Sequence, residues 1–257
     1  MDLMLQGKAA MVSGGSRGLG YHIARGLAGE GCRVAVSARG EARLNEAVKE
    51  LNAIREGSAV GFQGDMTAAG IPEAFLKRTL EAFGGVDILV NNAGGARPGA
   101  VVDLTEEDWR AAFGTNLFHA VALSRLAIPE MRKWGGGSIL NVASIYGREG
   151  GGSATYNASK AALVSFSKAL AQQVAKDNIR VNAIAPGSIL FPGGSWDRRV
   201  KEAPDGLKGF IDSDLPLGRF GRPEELAAAA VFMVSPRASL VHGACWNVDG
   251  GQSRSNI

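Results

Sequence analysis

The sequence predicts an α/β domain built on a mainly parallel sheet covered by helices on both faces. Three observations carry this. Short apolar runs alternate with segments of helical period from residue 8 to residue 248, the order that lays parallel strands side by side with helices as crossovers. The runs at residues 86–90 and 139–142 are largely apolar and short, as expected for strands buried on both faces. The first run, residues 8–12, passes directly into a glycine-rich turn and then a helical pattern.

The elements follow in order. Residues 8–12 read as the first strand, and a helix runs from the glycine turn to about residue 30. Residues 32–37 are a second strand, 41–53 a second helix, and 59–63 a third strand closed by Gly64-Asp65. Residues 71–83 are helical, with Pro72 in the first turn, where its missing N–H is harmless. The fourth strand is at 86–90. Thr105 followed by Glu106, Glu107 and Asp108 reads as a helix N-cap with an acidic first turn. A long helix, or two joined, then runs to about residue 133. The strand at 139–142 leads to a second glycine-rich loop and a helix from Tyr156 to about 174. Residues 179–184 are another strand. Residues 188–217 read as irregular, rich in Pro, Gly and aromatics, and Pro223-Glu224-Glu225 opens the last helix before a final strand at 244–248. No repeat, linker or low-complexity tract divides the chain, so residues 1–257 are expected to form one domain.

Composition narrows the function classes. The chain has 257 residues, 46% of them hydrophobic, enough for a sizeable core. The 36 glycines show no triplet period, so tight turns explain them better than collagen. Net charge is +3 with the basic residues scattered, weak support for nucleic acid as a partner. No apolar run reaches membrane-spanning length, and residues 1–6 are too short for a signal peptide ahead of the first strand. Cys32 and Cys245 lie far apart in strand-like stretches with no metal-type spacing. Both read as buried free thiols in a reducing, cytoplasmic compartment, and no metal site is expected.

The chemistry concentrates between Ser144 and Lys160. A serine stands at the end of a strand, a glycine-rich loop follows, and Tyr156 and Lys160 open a helix on one face, four residues apart. A phenol ordinarily holds its proton at neutral pH. An adjacent ammonium favours phenolate, which makes a tyrosine able to give and take a proton. Taken alone, the pair reads more readily as a core tyrosine beside a solvated lysine, and Ser144 as a turn hydroxyl. Context decides. Gly14, Gly18 and Gly20, with Ser16, Arg17 and Leu19 between them, follow the first strand and start a helix. Glycines there allow close approach of a pyrophosphate, which the helix N-terminus then binds.

Ser13-Gly14-Gly15-Ser16-Arg17-Gly18-Leu19-Gly20, Asn91-Asn92-Ala93-Gly94, Asn116, Ser144 with Tyr156 and Lys160, and Pro186-Gly187 together resemble the short-chain dehydrogenase/reductase family, over about residues 5–251. The resemblance implies a Rossmann-type doubly wound sheet of about seven strands, a nicotinamide cofactor, and hydride transfer to or from a carbonyl or alcohol. It implies that Tyr156 is the general acid/base and that Lys160 tunes it and binds the nicotinamide ribose. It further implies that Ser144 holds the substrate oxygen and that Asn116 supports a relay water. From residue chemistry alone Asn116 reads as well as a polar group that bends a helix. By the same resemblance Asp65 and Met66 lie against adenine, Asn92, Ala93 and Gly94 line the adenosine side, and Pro186, Gly187 and Ile189 border the nicotinamide. A threonine usual after Pro-Gly is absent here. Phe191 stands near its place, which leaves the carboxamide to main-chain groups such as Ile189, or to Ser188.

Several further expectations follow. The second strand ends Ser37-Ala38-Arg39 without the carboxylate of an NAD-selective site, so Arg39, Arg17 and Ser37 are expected to read the 2′-phosphate of NADP(H). Phe191 and Trp196, with Phe210, are expected to roof a small-molecule substrate, and residues 188–217 to form a lid. Small residues at Ala158, Ala161, Ala162, Ser165 and Ala169 suggest a second buried helix face, and the resemblance favours a homotetramer. The expected activity is an NADP-dependent ketoreductase. A 3-oxoacyl-thioester reductase is the alternative within the family; Asp177-Asn178 stands there where a basic residue is common, although Arg132 and Lys133 remain to meet an acidic carrier. A non-catalytic dinucleotide sensor is the alternative of another class.

Overall fold

The computed structural model describes residues 1–256, with positions 204 and 205 as main chain alone. Seven strands form one all-parallel sheet: β1 (Ala9–Ser13), β2 (Arg33–Ala38), β3 (Ala59–Gln63), β4 (Ile88–Asn91), β5 (Gly137–Val142), β6 (Ile179–Pro186) and β7 (Cys245–Val248). Their order is β3-β2-β1-β4-β5-β6-β7. The winding reverses between β1 and β4. In such sheets ligands bind beyond the strand ends at this crevice.

Alternation along β1 shows how the core divides. Ala10 and Val12 face α1 (Gly18–Gly29), α2 (Glu41–Ile54) and α9 (Pro223–Val234), in a cluster with Ile23, Leu27, Leu51 and Leu226. Ala9 and Met11 face α3 (Ile71–Phe83), α5 (His119–Lys133) and α6 (Ala154–Val174), with Phe75, Leu123, Met131 and Val174. Side chains on a strand alternate faces, so each apolar strand feeds both layers, and the doubly wound arrangement is the one that buries both.

Thr105 caps α4 (Glu106–Phe113) in a reciprocal box with Asp108. The helix continues through a π turn at Gly114–Phe118 into α5. Sequence anticipated no membrane-length segment. Among the described residues Glu106–Lys133 passes that test by length and composition, but 44% of its apolar window is buried inside the protein, where α5 packs against β4 and α3.

Two further expectations are corrected. Residues 188–217 are not irregular: they contain α7 (Ser195–Glu202) and α8 (Pro204–Asp214). Pro204 reads as a breaker but occupies the first turn of α8, and Gly206 and Gly209 lower helix propensity without preventing the helix. Both cysteines are free, but only Cys32 is fully buried. Cys245 is half-buried because β7 is the edge strand.

Candidate active site

The switch point is locked by Asn92. Its Nδ2 donates to the carbonyls of Ser13 (3.1 Å) and Gly14 (3.0 Å), while Ser13 Oγ accepts from the amides of Asn92 (3.0 Å) and Ala93 (3.1 Å). Gly14 has φ +65°, and a Cβ there would lie 3.0 Å from Asn92 Nδ2. Only glycine combines that conformation with that closeness. Ser16 is buried and Leu19 packs on the first core layer, so the loop presents main chain outward. Residue 17 precedes α1 without a side-chain cap, and the first turn of α1 holds no acidic residue. The amides there are free for an anion.

The ends of β2 and β3 flank this cradle. Ser37 Oγ is buried without a hydrogen-bond partner. Arg39 is 80% exposed, with Nη1 3.8 Å from Asp65 Oδ2, and Arg17 is exposed. The Asp65 carboxylate is held below its usual range, first by the Thr67 amide and hydroxyl and then by Arg39. Met66 is buried in the second core layer, so only its main chain can meet a base. An orphaned hydroxyl, two available guanidiniums and an uncapped helix start suit a phosphorylated dinucleotide.

The catalytic candidates gather at the end of β5. Ser144 caps a short 3-10 turn by accepting from the Tyr146 amide (3.2 Å). Its hydroxyl also faces the Tyr156 phenol closely enough to lower that group's pKa in part. Lys160 is 3% exposed. Its Nζ lies 5.7 Å from the Tyr156 ring centre and donates to the Val142 carbonyl at 2.7 Å. Burial pushes Lys160 down to about 8. The expectation that Lys160 lowers the phenol is corrected here: burial raises Tyr156, and the Ser144 side chain pulls only partly the other way. The ammonium is turned to Val142 and is itself weakened by burial, so desolvation prevails.

Asn116 lies fully buried in the π turn. Its Nδ2 donates to the carbonyls of Gly95 (2.9 Å) and Ala112 (3.0 Å), and its Oδ1 accepts from the Gly95 amide (3.0 Å). It therefore both widens the helix and staples the loop after β4 to it. A Cβ on Gly94 would stand 3.0 Å from Asn116 Oδ1 and 3.2 Å from Lys160 Nζ, so these three residues converge. His119, which the sequence did not single out, is buried beside them and pushed down to about 4 by burial and then by Lys160. It stays neutral at physiological pH.

Pro186 ends β6, and Ile189 bridges to Gly221. The aromatics divide differently from the sequence grouping. Phe191 packs on the glycine loop, 2.6 Å from where a Gly18 Cβ would stand. Trp196 stacks on Phe210 (4.6 Å between centres) and packs at a tilt against Phe220 (5.1 Å). Phe220, just beyond the stretch read as a lid, was missed for that reason. A cavity of about 370 Å³ opens between α7 and α8, lined by Leu190, Val200, Leu207, Lys208, Ile211 and Phe220. None of the catalytic candidates lines it. Among the described residues no three His, Cys, Asp or Glu side chains are grouped to hold a metal.

Comparison with known proteins bears on this geometry. A family model described as enoyl-(acyl carrier protein) reductase matches residues 14–253. A 3-oxoacyl-[acyl-carrier-protein] reductase of Chlamydia muridarum is 38% identical over 98% of this chain and 100% of its own length. A D-beta-hydroxybutyrate dehydrogenase of Cupriavidus necator is 37% identical over 96% of this chain and 98% of its own. The structure of L-sorbose reductase from Gluconobacter frateurii with NADPH and L-sorbose superposes with TM-score 0.95 at 38% identity, covering 99% of this chain and 100% of that one. A 7α-hydroxysteroid dehydrogenase complexed with NADH and a 7-oxo bile acid superposes with TM-score 0.90 at 35% identity, covering 100% and 98%.

Proposed function

This chain belongs to the short-chain dehydrogenase/reductase family and is an oxidoreductase; from that premise we propose that it is an NADP(H)-dependent reductase of a small ketone, or in reverse a dehydrogenase of the matching secondary alcohol. The observation that carries the reading is the gathering of Ser144, Tyr156 and buried Lys160 at the end of β5, with Lys160 Nζ 5.7 Å from the Tyr156 ring centre. Bound nicotinamide supplies the hydride. Tyr156, held protonated by burial, gives its proton to the carbonyl oxygen as carbon–hydrogen bond formation turns that oxygen into an alkoxide. Ser144 Oγ donates to the same oxygen where charge develops. Lys160 is held beside the Tyr156 ring by its bond to the Val142 carbonyl, and Asn116 holds the segment against which Lys160 sits. Arg39, Arg17 and the unpartnered Ser37 hydroxyl support NADP(H) over NAD(H). The solved relatives include one with NADPH and one with NADH.

The second reading, reduction of a 3-oxoacyl thioester on a carrier protein, is favoured by the relatives that bear that name. The surface opposes it. Arg132 donates twice to Asp177 Oδ2 (2.9 and 2.7 Å), and Lys133 pairs with Glu130 at 2.8 Å. The basic residues that remained for an acidic carrier are thus neutralised within the chain. NADPH oxidation against ketones, ketoses, steroids, and acyl thioesters on coenzyme A or on carrier protein tests both readings. Turnover of a free ketone supports the first. A strong advantage for carrier-bound thioester supports the second, and no turnover of any carbonyl contradicts both.

On α6, Ala161, Ser165 and Ala169 are exposed, as is Phe118 at the head of α5. The second face of α6 is therefore not covered within one chain, and we propose that it meets other copies in a homotetramer.

A further inference from the structure

The segment after β7 reaches two sides of the site at once. Asp249 turns it back, accepting from the amides of Gly251 (3.0 Å) and Ser253 (2.9 Å). On one side Gln252 Oε1 accepts from the Ser188 amide at 2.7 Å. On the other, Glu149 Oε2 accepts from Ser253 Oγ, the Arg254 amide and the Ser255 amide, each at 2.9 Å. Glu149 belongs to the loop joining Ser144 to Tyr156, and Asn157 Nδ2 holds its carbonyl at 3.0 Å. Three donors on one carboxylate oxygen form a charge-assisted anchor.

The contact with Ser188 matters by its place. Ser188 is 6% exposed and follows Pro186 and Gly187 at the end of β6. A Cβ on Gly187 would lie 2.6 Å from Asp249 Cβ and 2.7 Å from Gln252 Oε1, so the tail rests directly on this segment. A dinucleotide seated on the start of α1, with its adenosine toward Arg39 and Asp65 at β2 and β3, must extend its other end toward Tyr156. The end of β6 is the wall it meets there. The Ser188 amide is bonded to a side chain, outside the strand ladder, so one substitution removes its acceptor and leaves the sheet intact.

We infer that Gln252 is a positioning residue for the nicotinamide end of the cofactor, acting through the Ser188 amide, with its tail held in place by Glu149. This rests on the dinucleotide-dependent function proposed above. The test measures binding of NADPH and of adenosine 2′,5′-bisphosphate, which shares the adenosine end and lacks the nicotinamide, by calorimetric titration. Leaving a buried amide without its acceptor in Gln252→Leu weakens NADPH by roughly tenfold and leaves the bisphosphate unchanged. In turnover, KM for NADPH rises more than kcat falls. Gln252→Glu keeps an acceptor oxygen and restores NADPH affinity. Glu149→Ala, which frees the tail without touching Ser188, gives the same selective loss in smaller measure. Equal weakening of both ligands, no change in either, or a Gln252→Glu variant as poor as Gln252→Leu would overturn the inference. A wild-type protein that binds neither ligand would overturn the dinucleotide reading and this inference with it, whereas wild-type binding of NADPH matched by every variant overturns the role of Gln252 alone.

Discussion

Lys160 Nζ donates to the Val142 carbonyl at 2.7 Å. That bond fixes the ammonium at the end of β5, buried to 3% exposure, with burial holding its pKa near 8. A depressed lysine pKa means that the folded protein binds this proton less well than the unfolded chain. Below pH 8 both states carry the proton and the burial cost is fully present. As pH rises from about 8 towards the unfolded value, the folded state loses its proton first and stability rises.

Lys160→Met is therefore predicted to stabilise the cofactor-free protein at pH 7. Relief of the buried charge, less the lost Val142 bond, is worth on the order of 2 kcal/mol. The gain shrinks as pH rises through the window between the folded and unfolded pKa. Thermal denaturation at pH 7 and pH 10 measures it. A variant less stable than wild type at pH 7 would mean that Lys160 contributes more by its bond than it costs by its charge.

Tyr156→Phe removes the transferable proton and leaves the ring that packs beside Lys160. NADPH affinity is predicted to hold while kcat falls on the order of a hundred- to ten-thousand-fold. Equilibrium titration and steady-state turnover together read the split. Loss of binding with kcat unchanged would assign Tyr156 to the cofactor instead of the proton.

Arg39 is 80% exposed and 3.8 Å from Asp65. A clear preference for NADPH is predicted in the wild type. Arg39→Asp would set a second carboxylate beside Asp65 and lower the NADPH-to-NADH ratio of kcat/KM by roughly tenfold or more, the worth of a charge-assisted hydrogen bond. An unchanged ratio would remove Arg39 from cofactor selection.

Trp196 packs in a three-ring cluster with Phe210 and Phe220, whose own centres are 6.1 Å apart, and Arg199 lies 4.9 Å over its ring. If α7 and α8 close over a substrate, its fluorescence should change when cofactor and substrate bind together, and protease cleavage between α7 and α8 should slow. Comparison with Trp196→Phe isolates this signal from the other tryptophans. Identical differences in both proteins would place the movement elsewhere.

Much of this was legible in the sequence because period and turn chemistry are local. The third strand and third helix lie at the residues their patterns gave, since Gly64 and Pro72 mark their borders. The cluster of Ser144, Tyr156 and Lys160 was legible because all three stand around one loop. Other features depend on contacts distant in sequence. The rise of the Tyr156 pKa comes from burial that no spacing reveals. Gln252 meets Ser188 across 64 positions, and nothing in a short polar tail marks an acceptor. The helices α7 and α8 were hidden because Pro204 and two glycines resemble loop composition, although packing of Leu207 and Phe210 sustains them.

The central claim is that hydride passes between nicotinamide and a carbonyl carbon while Tyr156 moves the proton. The direct measurement uses NADPH deuterated at C4, each face in turn, with a ketone that wild-type protein reduces, and mass spectrometry of the alcohol. The account predicts one deuterium on the carbinol carbon from one labelled face, none from the other, and labelled alcohol formed on the order of a hundred- to ten-thousand-fold more slowly by Tyr156→Phe. Alcohol formed without deuterium from either face, or labelled alcohol formed as fast by Tyr156→Phe as by wild type, would contradict it.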